Sequence, residues 1–203
     1  MIQIPTLRSA SAAALAVLAM LALGGCSPMT AQNPSGALTP VNAVSDAADD
    51  RVILKGADMV AYFTQGRYVQ GSPDIRSRYE DVTFRFASPQ HKALFDADPR
   101  RYLPQFGGYC ANGIAYGIPW GGDADAWSII DGKLYIFGGT ASKEAFELDV
   151  PGNLRLAERY WASEVSGSNS FVQRARRLVF RVPHYKSGED LARAVAAARA
   201  TAK

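Results

Sequence analysis

Cysteine and histidine are the scarce residues of this 203-residue chain, with two of each. The cysteines are Cys26 and Cys110, so there is no Cys-x-x-Cys pair and no autonomous dithiol oxidoreductase. A closed structural zinc site needs four ligands, and no such set emerges. A glycine-rich phosphate loop and a paired-histidine protease motif are also missing. The formal net charge is only +3, which does not mark a nucleic-acid binder. No internal repeat is visible. The longest apolar run, residues 10–23 with Ser11 as its one polar member, falls short of the ~20 residues of a typical membrane span.

That run has a different use. Arg8 is the only charge among the first 25 residues, and an apolar stretch behind one positive charge has the form of an export signal. It ends in Leu23-Gly24-Gly25-Cys26. Small residues ahead of a cysteine resemble the lipobox of bacterial lipoproteins; the alternative is an ordinary export signal with an incidental cysteine. The resemblance implies removal of residues 1–25 and acylation of Cys26, which would hold the chain at a membrane surface. Ser27 rather than Asp at the next position implies the periplasmic face of the outer membrane. With Cys26 acylated, Cys110 has no intramolecular partner, an unusual state for a thiol in an oxidising compartment.

Residues 26–50 carry Pro28, Pro34 and Pro40 among small polar residues and predict a flexible tether. Residues 51–164 form the expected domain. Val60–Phe63 and Arg67–Val69 flank a Gly-containing turn and predict a hairpin. Val82, Phe84 and Phe86 alternate with Thr83 and Arg85, which predicts a half-buried strand. Ser88-Pro89 then gives an N-cap and a first helical position, and Asp98-Pro99 repeats the pattern for a short helix ending at Pro104. Asp131-Gly132 between two β-rich runs is the strongest hairpin signal, because both turn positions favour positive φ. Residues 141–161 look helical with a break near Pro151-Gly152. Residues 165–203 hold eight basic residues against two acids and include a helix opened by a Ser187/Asp190 capping box. This basic helical extension predicts contact with anionic lipid or with a protein partner. The fold class expected is α+β: a small antiparallel sheet of hairpins, helices packed on one side, and the C-terminal extension.

Several stretches of the expected domain have a common likeness. They are Asp58-Met59-Val60-Ala61-Tyr62-Phe63-Thr64-Gln65-Gly66, Gly71-Ser72-Pro73, residues 83–88, residues 98–102, Gly107-Gly108-Tyr109-Cys110-Ala111, residues 126–135 and Pro151-Gly152-Asn153. In this order and spacing, residues 54–161 resemble exported bacterial proteins of the YHS-domain family. Members of the wider YHS and TRASH families are proposed to bind soft metals through cysteines, and the resemblance implies a copper-like ion, or zinc, as cofactor. The chain departs from that pattern. Ala61, Ala87 and His91 stand where the wider family has cysteines, and Cys110 lies in the motif of the exported subgroup.

The site expected from these readings is centred on Cys110. Cys110, Met59 and His91 would offer thiolate, thioether and imidazole to Cu(I) if the first hairpin packs against the helix. Tyr62 and Tyr109 are candidate pocket residues, although aromatics at strands and turns are more often core. Three functions remain open: a soft-metal-binding protein, a thiol-redox protein that uses Cys110, and a non-catalytic envelope module acting through its basic tail. No catalytic set beyond Cys110 and His91 is in view, and no enzyme class is assigned.

Overall fold

The computed structural model describes residues 40–201. The expected signal peptide, the Cys26 acylation site and the tether up to residue 39 lie outside the described residues. The fold is α+β, with eight α-helices and two small sheets among the described residues. The first sheet has four strands: β1 (Ala43–Val44), β2 (Val52–Ile53), β3 (Ser72–Tyr79) and β4 (Val82–Phe86), in the order β1-β2-β4-β3. It is mixed, because β2 pairs in parallel with β4 whereas the other pairings are antiparallel. The second sheet is the hairpin of β5 (Asp123–Ile130) and β6 (Lys133–Phe137). Asp131 and Gly132 join those strands at φ of 51° and 73°, the positive-φ turn that the Asp-Gly pair predicts.

The helices are α1 (Met59–Thr64), α2 (Pro89–Ala97), α3 (Pro99–Tyr102), α4 (Ala111–Ile114), α5 (Thr140–Glu147), α6 (Val150–Tyr160), α7 (Ser170–Val179) and α8 (Gly188–Thr201). Ser88 caps α2 by accepting from the His91 amide at 3.1 Å, with Pro89 at the first helical position. The Ser187/Asp190 capping box also forms, with each side chain accepting from the other residue's amide.

The larger sheet is thus mixed where an antiparallel sheet of hairpins was expected, and two expectations about particular segments are also corrected. The first is the hairpin over residues 60–69. Val60–Phe63 is helical, inside α1. Its β-branched and aromatic character predicts a strand in isolation, but the buried Asp58 side chain accepts from the amides of Val60 and Ala61 and starts a helix. Met59 and Tyr62 can then both enter the core, so tertiary context overrides propensity. The second is the tether. Residues 40–50 belong to the fold: Val41 and Ala43 have no solvent exposure, and Ala43–Val44 is the edge strand β1. The segment also covers β4. Asp46 and Asp49 pair with the Arg85 guanidinium, so β4 is buried along its length instead of half-buried.

The core has two parts, and β6 is the wall between them. Leu134 and Ile136 join Ile53, Met59, Phe84, Phe86 and Phe95 in one part. Tyr135 and Phe137, on the opposite face, join Tyr109, Ile114, Phe146 and Val165 in the other. Strand periodicity of two thus feeds both cores from five residues, and each large apolar side chain buried contributes about 1.5–3 kcal/mol.

Asp58 fastens the first part. Its carboxylate has no solvent exposure and accepts four hydrogen bonds: from the amides of Val60, Ala61 and Ala87 and from His91 Nδ1 at 2.7 Å. It ties the start of α1 to the end of β4 and the first turn of α2. Asp58→Ala removes all four acceptor contacts and leaves buried donors unpaired. It is expected to destabilise the protein by about 3 kcal/mol or more, read as a lower urea midpoint at unchanged m-value.

Candidate functional site

The approach to Cys110 is set by close backbone packing. Asn42 donates its amide to the Gly107 carbonyl at 2.8 Å, and its side chain bonds the Gly108 carbonyl at 3.0 Å. A Cβ at Gly107 would sit 2.3 Å from the Pro40 carbonyl oxygen, and the residue has φ of +59°; only glycine fits. The turn delivers Tyr109 into the core and Cys110 to the edge of β6, where it bridges to Ile136. The Cys110 amide donates to the Trp120 carbonyl at 2.9 Å, which fixes Trp120 beside it.

Cys110 is the N-cap of α4, and its Sγ accepts from the Gly113 amide at 3.4 Å. The same Sγ lies 3.1 Å from Ser142 Oγ, on the first turn of α5. The residue is only 2% exposed, yet it lies on the walls of two clefts. The larger, about 920 Å3, runs past Asn42, Lys55, Tyr68, Gln70 and Asp125. The smaller, about 310 Å3, runs past Tyr116, Tyr185, Lys186 and Leu191. Cys110, Trp120, Gly138 and Ser142 line both, so the thiol stands at the partition between them.

The other expected site residues are elsewhere. His91 is bound at both ring nitrogens. Nδ1 donates to Asp58, and Nε2 faces Thr64 Oγ1 and Gln65 Nε2, each at 3.3 Å. Met59 is fully buried in the first core, and neither it nor His91 lines a cleft at Cys110. Tyr62 and Tyr109 are core residues, not pocket walls. Tyr62 packs edge-on against Trp127 and donates to the Ala124 carbonyl, and burial pushes its phenol pKa well up. Tyr109 donates to the Val41 carbonyl at 3.2 Å. The aromatic that does line the clefts is Trp120. Among the described residues, Cys110 is the only sulfur or imidazole on either wall, and no group of three or more His, Cys, Asp or Glu side chains is arranged to hold a metal ion. This donor set does not fit a soft metal.

Ser142, Tyr185 and Lys186 were not legible as site residues. Ser142 is one hydroxyl in a helical stretch, and the other two belong to the basic extension. The extension is docked against the domain and forms one wall of the smaller cleft. Gln173 is buried and donates to the Gly117 carbonyl and to Glu164. Arg174 donates to the Pro119 carbonyl and stacks over Trp120. Arg177 pairs with Glu164, and His184 bonds the Ala115 carbonyl while stacking on Tyr116.

The Glu164 pair makes this docking sensitive to acid. Burial pushes the Glu164 carboxyl up, but hydrogen bonds from Arg177 and Gln173 outweigh it and hold the carboxyl below its ordinary 4.5. A carboxylate depressed in the folded state contributes stability that is complete above its unfolded value and is lost as pH falls through the folded one. Amide exchange across residues 170–179, corrected for intrinsic rates, is therefore expected to accelerate on acidification below about pH 4.5. In Glu164→Gln the same amides exchange faster already at neutral pH, and that acid-dependent step is absent.

Comparison of the chain with protein-family models, with curated proteins and with solved structures finds no match in any of the three, so the functional reading rests on the geometry around Cys110 and on motif resemblance.

Proposed function

We propose that this chain is an exported, lipid-anchored envelope protein of YHS type that works as a thiol-redox module, with Cys110 as its peroxide-reactive group. The motifs around Asp58, Gly107–Ala111 and Ala126–Tyr135 support the family reading, and the sequence before Cys26 supports export and anchoring at the periplasmic face of the outer membrane. The observation that carries the chemistry is the position of the Cys110 Sγ. It sits at the partition of two clefts, beside a hydroxyl and a backbone amide. Both groups can donate to a thiolate, which is the reacting form of the sulfur. An exposure of 2% keeps another protein's disulfide out, while the clefts on either side, about 920 and 310 Å3, have room for a small hydroperoxide or thiol.

In the step proposed, the thiolate attacks the distal oxygen of a hydroperoxide. An S–O bond forms, the O–O bond breaks, and the leaving alkoxide or hydroxide takes a proton. The sulfur, two electrons more oxidised, is a sulfenic acid. A low-molecular-weight thiol entering the larger cleft then displaces water to give a mixed disulfide, and a second such thiol releases the reduced cysteine. Soft-metal binding, implied by the wider family, would need ligands other than His91 and Met59, and no step is routed through a metal.

The test is intact-mass spectrometry of the reduced Cys26→Ser chain, in which Cys110 is the one thiol, after peroxide in the presence of dimedone. One adduct at Cys110 is expected. Ser142→Ala is expected to slow adduct formation about tenfold, the worth of one hydrogen bond to a charged group. Cys110→Ser keeps the cap on α4 and gives no adduct. An unreactive Cys110 in the folded protein would reject the reading.

A further inference from the structure

Helix α7 is docked the wrong way round for a soluble protein. Its buried positions are Ser170 and Gln173, and its half-buried positions are Arg174 and Arg177. The face it turns outward holds Phe171, Val172, Leu178 and Val179, with Phe180 just beyond its end. These five side chains are between 44% and 72% exposed. Positions 171, 172, 175, 178 and 179 recur at helical spacing, so they form one apolar stripe about 12 Å long. An exposed contiguous apolar stripe on a folded chain marks an interaction surface.

The charges around the stripe indicate what covers it. Arg176 and Arg181 are exposed beside it, Lys186 follows, and no acid occurs between Val165 and Ser187. Apolar side chains flanked by cations, with no anion among them, suit an anionic lipid surface: acyl chains receive the Phe and Val side chains, and headgroups meet the arginines. A second copy suits it poorly, because two-fold pairing of the stripes would bring the Arg176 side chains of both copies to one interface. A stable protein interface also buries about 1,600 Å2 in total, more than one ten-residue helix face offers.

We infer that α7 is a membrane-docking helix that lays Phe171, Val172, Leu178, Val179 and Phe180 into the headgroup–acyl boundary of an anionic bilayer, with Arg176 and Arg181 on the phosphates. It acts independently of the chemistry at Cys110 and of any acyl chain at Cys26. Because the helix grips the protein through Gln173, Arg174 and Arg177, docking on lipid needs no rearrangement of the domain. The bilayer would then lie close to the smaller cleft, whose wall the same extension forms.

The test uses the full chain carrying Cys26→Ser, so that no acyl group contributes, and reads amide exchange locally over residues 170–181. Vesicles of phosphatidylcholine with phosphatidylglycerol are expected to slow exchange there about tenfold, and vesicles of phosphatidylcholine alone much less. Val172→Gln combined with Val179→Gln abolishes the protection. Arg176→Gln weakens vesicle affinity about fivefold and flattens its salt dependence. Both sets of side chains are exposed, so circular dichroism and the melting temperature are expected to hold. No protection on anionic vesicles, or equal protection on neutral ones, overturns the inference. Protection that grows with protein concentration alone, with a dimer in sedimentation, would assign the stripe to a second copy. Protection present without vesicles and lost on deleting residues 1–39 would assign it to the chain's own N-terminal segment.

Discussion

Burial of β6 on both faces is the constraint on which the molecule depends. Five residues give Leu134 and Ile136 to one core and Tyr135 and Phe137 to the other, so neither core can be altered without moving the strand that serves both. Interiors packed at crystal-like density transmit such shifts instead of absorbing them. Cys110 is bridged to Ile136 at the edge of this strand, and Ser142 follows soon after its end. The sulfur and the hydroxyl are thus referenced to the same rigid element. That is why a contact between a turn and a separate helix can be held at hydrogen-bond distance.

The first core is fixed by a polar device. Asp58 satisfies two amides of α1, one at the end of β4 and one imidazole, and all but the Ala87 contact are buried. A buried carboxylate with four donors specifies geometry more than it adds net stability, because its desolvation offsets much of the gain. His91 belongs to this device. Its ring is oriented by Asp58 on one side and by Thr64 and Gln65 on the other, so the imidazole that the sequence offers as a ligand is already occupied as a strut.

What was legible in the chain was local. The Ser88-Pro89 start of α2, the Asp131-Gly132 turn and the Ser187/Asp190 box depend on neighbours within a few residues, and each forms as its chemistry requires. What was not legible depended on distant partners. Val60–Phe63 has the composition of a strand and becomes a helix because Asp58 is buried against Ala87 and His91. Arg85 has the alternation of an exposed residue, yet is enclosed because Asp46 and Asp49 fold over it. Cys110 stood out in the sequence by its solitude. Its neighbour Ser142 carries no sequence signal, since a helical serine near nothing in sequence is indistinguishable from a surface one. The extension showed its charge and concealed its orientation: composition cannot say which side of α7 faces the domain.

The reach of Asn42 ties the first strand to the second half of the domain. Its side-chain amide is shared between carbonyls 66 and 80 residues downstream, at Gly108 and Gly122. β1 has a partner close by in β2, but the Asn42 side chain lacks its pair of acceptors until the chain through Gly122 exists. Contacts of such sequence separation form late and slowly. A chain cut short before Gly108 would keep the β1–β2 ladder and lose both acceptors that seat Asn42, so the two ends of the domain are latched through one side-chain amide.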